Sequence, residues 1–174
     1  MHHDLLTKSL SLTPLISSDI DWVHELFSDP RGWRHDIGGL HTELADTQAF
    51  LDRVIAGWRH NMLSYWAARI DTEQPAGMGG VRRIDRHWNL GFRIFPDYQG
   101  RGLATEIATA AIDAAHETES SIPVFAWVDE SNAASRTVVG RIGLIDHGLQ
   151  NDHGELRRVF VDRPHTFPVN LPEK

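Results

Sequence analysis

The sequence predicts one mixed α/β domain, and three observations carry this prediction. The 174 residues are the length of a single ordinary domain. Hydrophobic residues make up 41% of the chain, which is enough to build a core. Strand-like alternation and helix-like spacing of apolar residues follow one another along the chain, without an internal repeat or a Gly/Ser linker. We therefore predict one domain over residues 1–174.

The first half of the chain predicts a strand, two helices and a meander. Leucines alternate in the first segment as they do in a strand, and Pro14 ends it. Phe50, Leu51 and Val54 are spaced as on the buried face of a helix. The predicted elements are a strand at 5–12, a helix that starts at 17 or 18 and ends before 29, a loop at 33–41, a helix that starts at 46 or 47, a strand at 62–70, a turn at 74–77, and strands at 78–84 and 88–95.

The second half predicts a long helix, a buried strand, a shorter helix and a last strand. Leu103, Ile107, Ala111 and Ala114 fall on one face of a helix that follows Pro96. The other predicted elements are a strand at 122–128, a helix at 132–141, a polar turn that includes residues 146–147 and 152–153, and a strand at 156–161.

Composition excludes several classes of protein. The chain has no cysteine, which rules out disulfides, thiolate metal sites and a cysteine acyl-enzyme. The longest apolar run, Val124–Val128, is far shorter than the roughly 18 residues of a membrane span. No basic segment leads into an apolar one at the start of the sequence, as it would in a signal peptide. We therefore expect a cytoplasmic protein with no membrane partner.

The charge balance favours a small anionic ligand over nucleic acid. The net charge of −7 argues against a general nucleic-acid binder, which normally carries a basic face. Residues 82–101 nevertheless contain five arginines and only two aspartates. A locally positive segment in an acidic protein suggests an anion site, and solvated arginines at strand edges explain it equally well.

The most informative segment is the glycine-rich turn Gln99–Ala104, between a predicted strand and the long helix. The first N–H groups of a helix have no partner within the helix, and with the helix dipole they attract phosphate. Gly100 and Gly102 leave the main chain accessible, and Arg101 adds positive charge. The turn has neither the Gly-Lys-Ser/Thr of a P-loop nor the three glycines of a dinucleotide site. The alternative is a turn that uses glycines only to change direction.

A second motif makes the pattern specific. The first motif reads Gln99-x-x-Gly102-x-Ala104, and the second reads Asn132-x-x-Ser135-x-x-Val-Val-x-Arg-x-Gly-Leu144. Together, over residues 79–144, they resemble the acetyl-CoA site of the GNAT N-acetyltransferase superfamily, closest to the branch that acetylates the N-terminal residue of ribosomal proteins. The resemblance implies an α/β fold with a mixed, mostly antiparallel central sheet. That sheet would have about six or seven strands, with one splayed parallel pair and about four flanking helices.

The resemblance also implies which residues bind acetyl-CoA, the co-substrate. The pyrophosphate would be held by the N–H groups of Gln99, Gly100, Arg101, Gly102, Leu103 and Ala104. The pantetheine arm and the thioester carbonyl would be bound by the main chain of Arg93, Ile94 and Phe95, and by the Asn132 amide in the gap between two parallel strands. Ser135 would lie near the sulfur. Many members carry a tyrosine four residues later as the general acid, where this chain has Val139.

The sequence leaves the other catalytic roles open. Without cysteine, we expect direct attack by the amine in a ternary complex. Ser135 is the candidate acid, although its hydroxyl could equally bond only to the helix backbone. The candidates for the base are Asp85, His87, Asp97 and Glu155. The candidates for the acceptor site are Trp33, His35 and His41, for which an ordinary surface loop is an equally good interpretation.

We therefore predict an acetyl-CoA-dependent N-acetyltransferase acting on a primary amine, with a protein or peptide N-terminus as acceptor. Small amines such as polyamines or antibiotics, and a catalytically silent acyl-CoA-binding module, are the alternatives. The 11 histidines include no His-x-x-x-His pair, so no metal site is predicted. We expect a monomer or a homodimer that does not bind nucleic acid.

Overall fold

Eight strands form one open sheet in the computed structural model, which describes residues 4–35, 39–71, 73–152 and 154–167. The strands are β1 (Leu5–Leu6), β2 (Ser11–Pro14), β3 (Tyr65–Ile70), β4 (Gln74–Ile84), β5 (His87–Ile94), β6 (Val124–Val128), β7 (Ile145–Asp152) and β8 (Glu155–Val161). The α-helices in the described ranges are α1 (Ile20–Ser28), α2 (Leu44–Asn61), α3 (Leu103–Glu119) and α4 (Ala133–Arg141). The predicted mixed α/β fold class is confirmed.

The sheet has the order β1-β2-β3-β4-β5-β6-β8-β7, and every neighbouring pair is antiparallel except β5 and β6. These two parallel strands pair only at their beginnings, where Trp88 is opposite Val124 and Asn89 is opposite Phe125. Beyond this point β5 stays paired with β4 and β6 stays paired with β8. The two strands therefore separate and leave a gap that opens toward their carboxyl ends.

Helices cover both faces of the sheet. Side chains of consecutive strand residues point to opposite faces, so Gly79 and the neighbouring Met78 mark the two sides of β4. A Cβ on Gly79 would lie 2.6 Å from Ile107 of α3, so the missing side chain lets this helix pack closely. Arg93, opposite Met78, lies against the ring of Phe27 in α1 on the other face. None of the described helices is both long and apolar enough to cross a bilayer.

Three local predictions are wrong. Residues 5–12 form two short strands joined by a turn in which the N–H of Thr7 donates to the carbonyl of Leu10. The segment Gln74–Gly77 is the beginning of β4, because its residues pair with β3. Residues 146–147 and 152, predicted to lie in a polar turn, belong to the edge strand β7, while His153 lies outside the described residues. In the second and third segments, pairing with the neighbouring strand outweighs the local preference of Pro, Gly or polar residues for a turn.

Helix α2 begins at Leu44, two or three residues before the predicted start at residue 46 or 47. Asp46 occupies its first turn, and its carboxylate accepts hydrogen bonds from the N–H groups of Thr42 and Glu43. An acidic residue three positions into a helix satisfies donors before the helix, so Asp46 marks the third helical residue and not the cap.

Glu106 of α3 ties this helix to the turn between β1 and β2. Its Oε2 atom accepts from the hydroxyl of Thr7 at 2.7 Å and from the N–H of Ser9 at 3.0 Å. Burial acts to raise the pKa of the Glu106 carboxyl, but the hydrogen bonds from Thr7 and Ser9 outweigh it and lower the pKa. The carboxylate therefore has a structural role.

The lowered pKa of Glu106 predicts a pH-dependent contribution to stability. A carboxyl whose pKa is lower in the folded state stabilises the fold above its unfolded pKa, and this contribution disappears as the pH falls through the folded pKa. We expect Glu106→Gln to be less stable than the parent by about 1 kcal/mol at pH 7. The difference in stability between the two proteins should shrink in acid. Urea unfolding at pH 7 and at an acidic pH measures it. A difference that stays constant with pH would contradict this role of the charge.

Candidate functional site

The gap between β5 and β6 is bordered by the glycine-rich turn that leads into α3. Pro96–Tyr98 form a short 3-10 turn after β5, and the chain then passes through Gly100 and Gly102 with φ angles of 77° and 81°. This left-handed conformation is favourable for glycine and strained for residues with a side chain. The two glycines therefore fix the direction in which α3 leaves the sheet.

The turn presents a run of N–H groups without partners. Within the described chain, no acceptor takes the N–H groups of residues 100–104, and the first intrahelical bond here runs from Glu106 to the carbonyl of Gly102. A Cβ on Gly100 or Gly102 would meet no atom within 4 Å, so the space in front of these groups is open. Leu103 is buried and anchors the beginning of the helix. The arrangement suits an anion, which also interacts favourably with the helix dipole.

Gln99 holds the turn together with its main-chain N–H and with its side-chain amide. Its N–H donates to the carbonyl of Pro96 at 3.3 Å, and its Nε2 donates to the carbonyl of Ile94 at 3.1 Å. The structure thus gives Gln99 a different role from the predicted pyrophosphate contact. The Arg101 guanidinium lies 5.1 Å from the centre of the Tyr98 ring, beside the open N–H groups.

The edge of β5 that faces the gap can be assigned from two hydrogen bonds. The N–H of Trp88 donates to the segment before β6, whereas the N–H of Phe95 donates to β4. Because the polar groups of an antiparallel strand alternate between its two sides, Phe92 and Ile94 turn theirs toward the gap.

This alternation corrects the predicted role of two residues. The carbonyl of Arg93 lies 2.2 Å from the position of a Cβ on Gly77, so the main chain of Arg93 faces β4. The N–H of Phe95 is bonded to Ala76, and its carbonyl accepts from the N–H of Tyr98. Of the three residues predicted to bind the pantetheine arm, only Ile94 turns its N–H toward the gap.

The other edge of the gap is formed by the segment between β6 and α4. Asn132 caps α4, because its Oδ1 accepts from the N–H of Ser135 at 3.0 Å. The Asn132 amide nitrogen has no partner among the described residues. The Ser135 hydroxyl, half-buried on the first turn of the helix, likewise has no hydrogen bond within the described chain. This observation does not support the interpretation that Ser135 only bonds to the helix backbone.

A hydrogen-bonded series lies just before this helix cap. Nδ1 of His35 is 2.8 Å from Oγ of Ser131, and that hydroxyl donates to Oδ1 of Asp129 at 2.5 Å. The hydrogen bonds from the side chain and the N–H of Ser131 lower the pKa of the Asp129 carboxyl. His35 itself is exposed.

The segment 30–35, between α1 and α2, is attached to both edges of the gap. The guanidinium of Arg93 donates to the carbonyl of Gly32 at 2.7 Å and stacks 3.3 Å from the centre of the Trp33 ring. At the other edge, His35 reaches Ser131. The segment therefore covers one side of the gap, on the face opposite to α3.

Trp33 and His41 make packing contacts, which fits the alternative interpretation of an ordinary loop better than an acceptor site. Trp33 is buried, and its Nε1 donates to the carbonyl of Phe27. His41 stacks on the Phe27 ring and bonds to Thr47 through Nδ1. Burial lowers the pKa of His41. Of the three predicted acceptor residues, the structure places His35 at the edge of the gap and the other two in the packing beneath the loop, whose residues 36–38 lie outside the described ranges.

The four candidate bases are spread over the molecule. Asp85 and His87 lie at the end of β5 opposite to the gap. Asp97 lies 3.8 Å from Arg31, and Glu155 is paired with Arg157 on an exposed hairpin. Within the described residues, no group of three His, Asp or Glu side chains is placed to bind a metal ion.

Tyr65 is a residue near the site that sequence reasoning missed. A Cβ on Gly91 in β5 would lie 2.6 Å from the Tyr65 hydroxyl, so the phenol reaches across β4 to the face that carries Arg93. Its hydroxyl makes no hydrogen bond within the described chain. No spacing in the sequence could reveal this contact, because it joins two strands that are not neighbours.

Comparisons with known proteins agree on the fold. A family model described as an acetyltransferase (GNAT) domain matches residues 9–145. An acetyltransferase from Agrobacterium tumefaciens is 24% identical with a TM-score of 0.81, and the alignment covers 92% of this chain and 94% of that one.

Two further solved structures are more distant in sequence. A ribosomal L7/L12 alpha-N-protein acetyltransferase in complex with coenzyme A is 16% identical with a TM-score of 0.74, over 90% and 94% of the two chains. The microcin C7 self-immunity acetyltransferase in complex with acetyl-CoA and AMP is 12% identical with a TM-score of 0.74, over 89% and 92%. At these identities the structural likeness establishes the fold alone.

Proposed function

The chain belongs to the GNAT acetyltransferase family, and on that premise we propose that it transfers an acetyl group from acetyl-CoA to the α-amino group of a protein or peptide. The observation that carries the proposal is the run of N–H groups at residues 100–104, which have no acceptor among the described residues and lie beside the gap between β5 and β6. Two solved structures of similar fold are complexes with coenzyme A or acetyl-CoA, which supports the same ligand here.

The residues around the gap suit each part of acetyl-CoA. The N–H groups of residues 100–104 would hold the diphosphate, and Arg101 would add its charge. The main-chain groups of Phe92 and the N–H of Ile94 would bind the pantetheine arm along β5. The Asn132 amide nitrogen, left over after the oxygen has capped α4, would bind it from the other edge. When bound, acetyl-CoA supplies an activated thioester as acetyl donor.

The reaction needs a neutral amine and a proton for the departing thiolate. An α-amino group has a reference pKa of about 7.7–8.0, so part of it is neutral at pH 7, whereas lysine near 10.4 needs more assistance. We assign proton donation to the Ser135 hydroxyl, which has no competing bond in the described chain. Val139, at the position where many members carry a tyrosine, is fully buried and offers no alternative donor.

The proposed route is direct attack in a ternary complex, and the composition supports it. The chain has no cysteine that could carry an acetyl group. The acceptor would approach beneath the 30–35 segment, on the face opposite to α3. The name of the L7/L12 alpha-N-protein acetyltransferase supports a protein N-terminus as acceptor, whereas the microcin self-immunity enzyme makes a small molecule the alternative.

The proposal is tested by measuring release of free CoA thiol from acetyl-CoA. The acceptors are peptides with free N-termini, the same peptides with blocked N-termini, and a panel of polyamines. We expect thiol release and an N-terminally acetylated product with the free peptides only. Turnover with polyamines alone would replace the proposed acceptor by a small amine. Binding of acetyl-CoA in calorimetry without turnover on any amine would favour a silent binding module.

A further inference from the structure

We propose that His35 is the general base that removes the proton from the attacking amine, and that Ser131 and Asp129 are positioning residues that act through it. The inference rests on the proposed acetyl transfer and assigns its missing base. None of the four carboxyl or imidazole groups suggested by the sequence is needed for this role.

The direction of each hydrogen bond fixes the tautomer of His35. The hydrogen bonds from Ser131 keep Asp129 ionised, and an ionised carboxylate only accepts hydrogen bonds. The Ser131 hydroxyl hydrogen therefore points to Asp129, and its oxygen must accept from His35. Nδ1 of His35 then carries the hydrogen, and Nε2 carries the lone pair that a base requires.

The position of His35 fits an acceptor that enters beneath the 30–35 segment. His35 bonds to Ser131, the residue directly before Asn132, and the same segment bonds to Arg93 of β5 on the other edge. The imidazole is exposed, so Nε2 is accessible to an amine or to one bridging water. His24 and His41 differ from His35 in their position and exposure. Both are half-buried, and the Nδ1 atom of each bonds to the buried Thr47 instead of the segment before α4.

The charged groups around His35 come from three elements. Arg34 is adjacent in the loop, and Asp129 lies after β6. Arg157 of β8 acts electrostatically on Asp129, and Glu130 is paired with Arg158. Among the described residues, the charge that hydrogen bonds link to the imidazole is the Asp129 carboxylate, through Ser131.

The proton balance of the step is simple. Nε2 takes one proton from the ammonium form of the acceptor, directly or through one water, and later releases it to solvent. The neutral nitrogen forms the new C–N bond while the C–S bond breaks. The nitrogen then gives up its second proton, which replaces the one that Ser135 donates to the departing CoA sulfur, so the hydroxyl is restored and the sulfur leaves as a thiol.

The test compares His35→Gln with His60→Gln, which removes an exposed histidine in the last turn of α2. A general base contributes roughly 10²–10⁴-fold. We expect His35→Gln to lower kcat by that factor with an unchanged Kd for acetyl-CoA, and imidazole added to the assay to restore part of the rate. The fall of the wild-type rate with falling pH should also become shallower in His35→Gln, because only protonation of the acceptor amine then remains to slow the reaction. His60→Gln should match the wild type.

A measurement without turnover tests the positioning residues. Nitrogen chemical shifts of His35 should show the hydrogen on Nδ1 in the wild type and a mixture of tautomers in Ser131→Ala. Unchanged kcat in His35→Gln, or a rate loss that retains the wild-type pH profile, would remove His35 as the base while the proposed function stands. Failure of the wild type to acetylate any amine would instead remove the proposed function, and the assigned role with it.

Discussion

The Gly102→Glu variant is expected to lose nearly all affinity for acetyl-CoA. The new carboxylate would stand in the open space before the N–H groups of residues 100–104, where the diphosphate is proposed to bind. Two like charges about 4 Å apart repel by about 4 kcal/mol at an effective dielectric constant of about 20. This energy corresponds to a roughly thousandfold weaker Kd, which calorimetry with acetyl-CoA measures.

Gly148→Glu is the matched control for this variant. Gly148 lies in β7 with a φ of 77°, and a Cβ there also meets no atom within 4 Å. The two variants therefore share the same added charge and similar backbone strain, and they differ in their distance from the turn. We expect Gly148→Glu to bind acetyl-CoA as the wild type does. Equal affinity in the two variants would show that the turn does not hold the diphosphate.

The Ser135→Ala variant is expected to lose about 10²–10⁴-fold in kcat, the range of a positioned acid or base. The Ser135 hydroxyl is half-buried on the first turn of α4 and has no hydrogen bond within the described chain, so its removal leaves no broken structural bond. The N–H of Ser135 still donates to Asn132, which keeps the helix cap intact. The KM for acetyl-CoA should therefore change little, as measured by steady-state thiol release.

Thr137→Ala controls for loss of a hydroxyl from the same helix. The Thr137 hydroxyl donates to the carbonyl of Ala133, so this variant removes a bond within α4 and should leave kcat near the wild-type value. Ser135→Thr, which keeps a hydroxyl, should retain much of the rate. Undiminished turnover in Ser135→Ala would eliminate Ser135 as the proton donor.

Local sequence patterns predicted most helices and the motifs well. The spacing of Leu103, Ile107 and Ala111 predicted α3, and all three side chains are buried in the structure. The family inferred from the Gln99 and Asn132 motifs is confirmed by the match over residues 9–145. Such features depend on residues within a few turns of one another, so a linear pattern contains them.

Strand pairing was predicted less well. Residues 145–152 are mostly polar and contain a bulge between Asp146 and Leu149, which hides the alternation expected of a strand. Their conformation is decided by β8, to which they are hydrogen-bonded. The sequence predicted a single strand where β1 and β2 lie. The turn between these two strands is held by contacts with α3, which a local pattern does not contain.

The sequence by itself determined the family, the glycine turn and the identity of the two motifs, because each depends on neighbouring residues and on main-chain conformation. Only the tertiary structure decided which atoms of those motifs remain available. Gln99 donates hydrogen bonds to main-chain carbonyls of the turn, and the main chain of Arg93 faces β4. His35 meets Ser131, 96 positions away. Packing between distant segments decides which polar groups are hydrogen-bonded to each other. The spacing of residues along the chain therefore does not predict these partners.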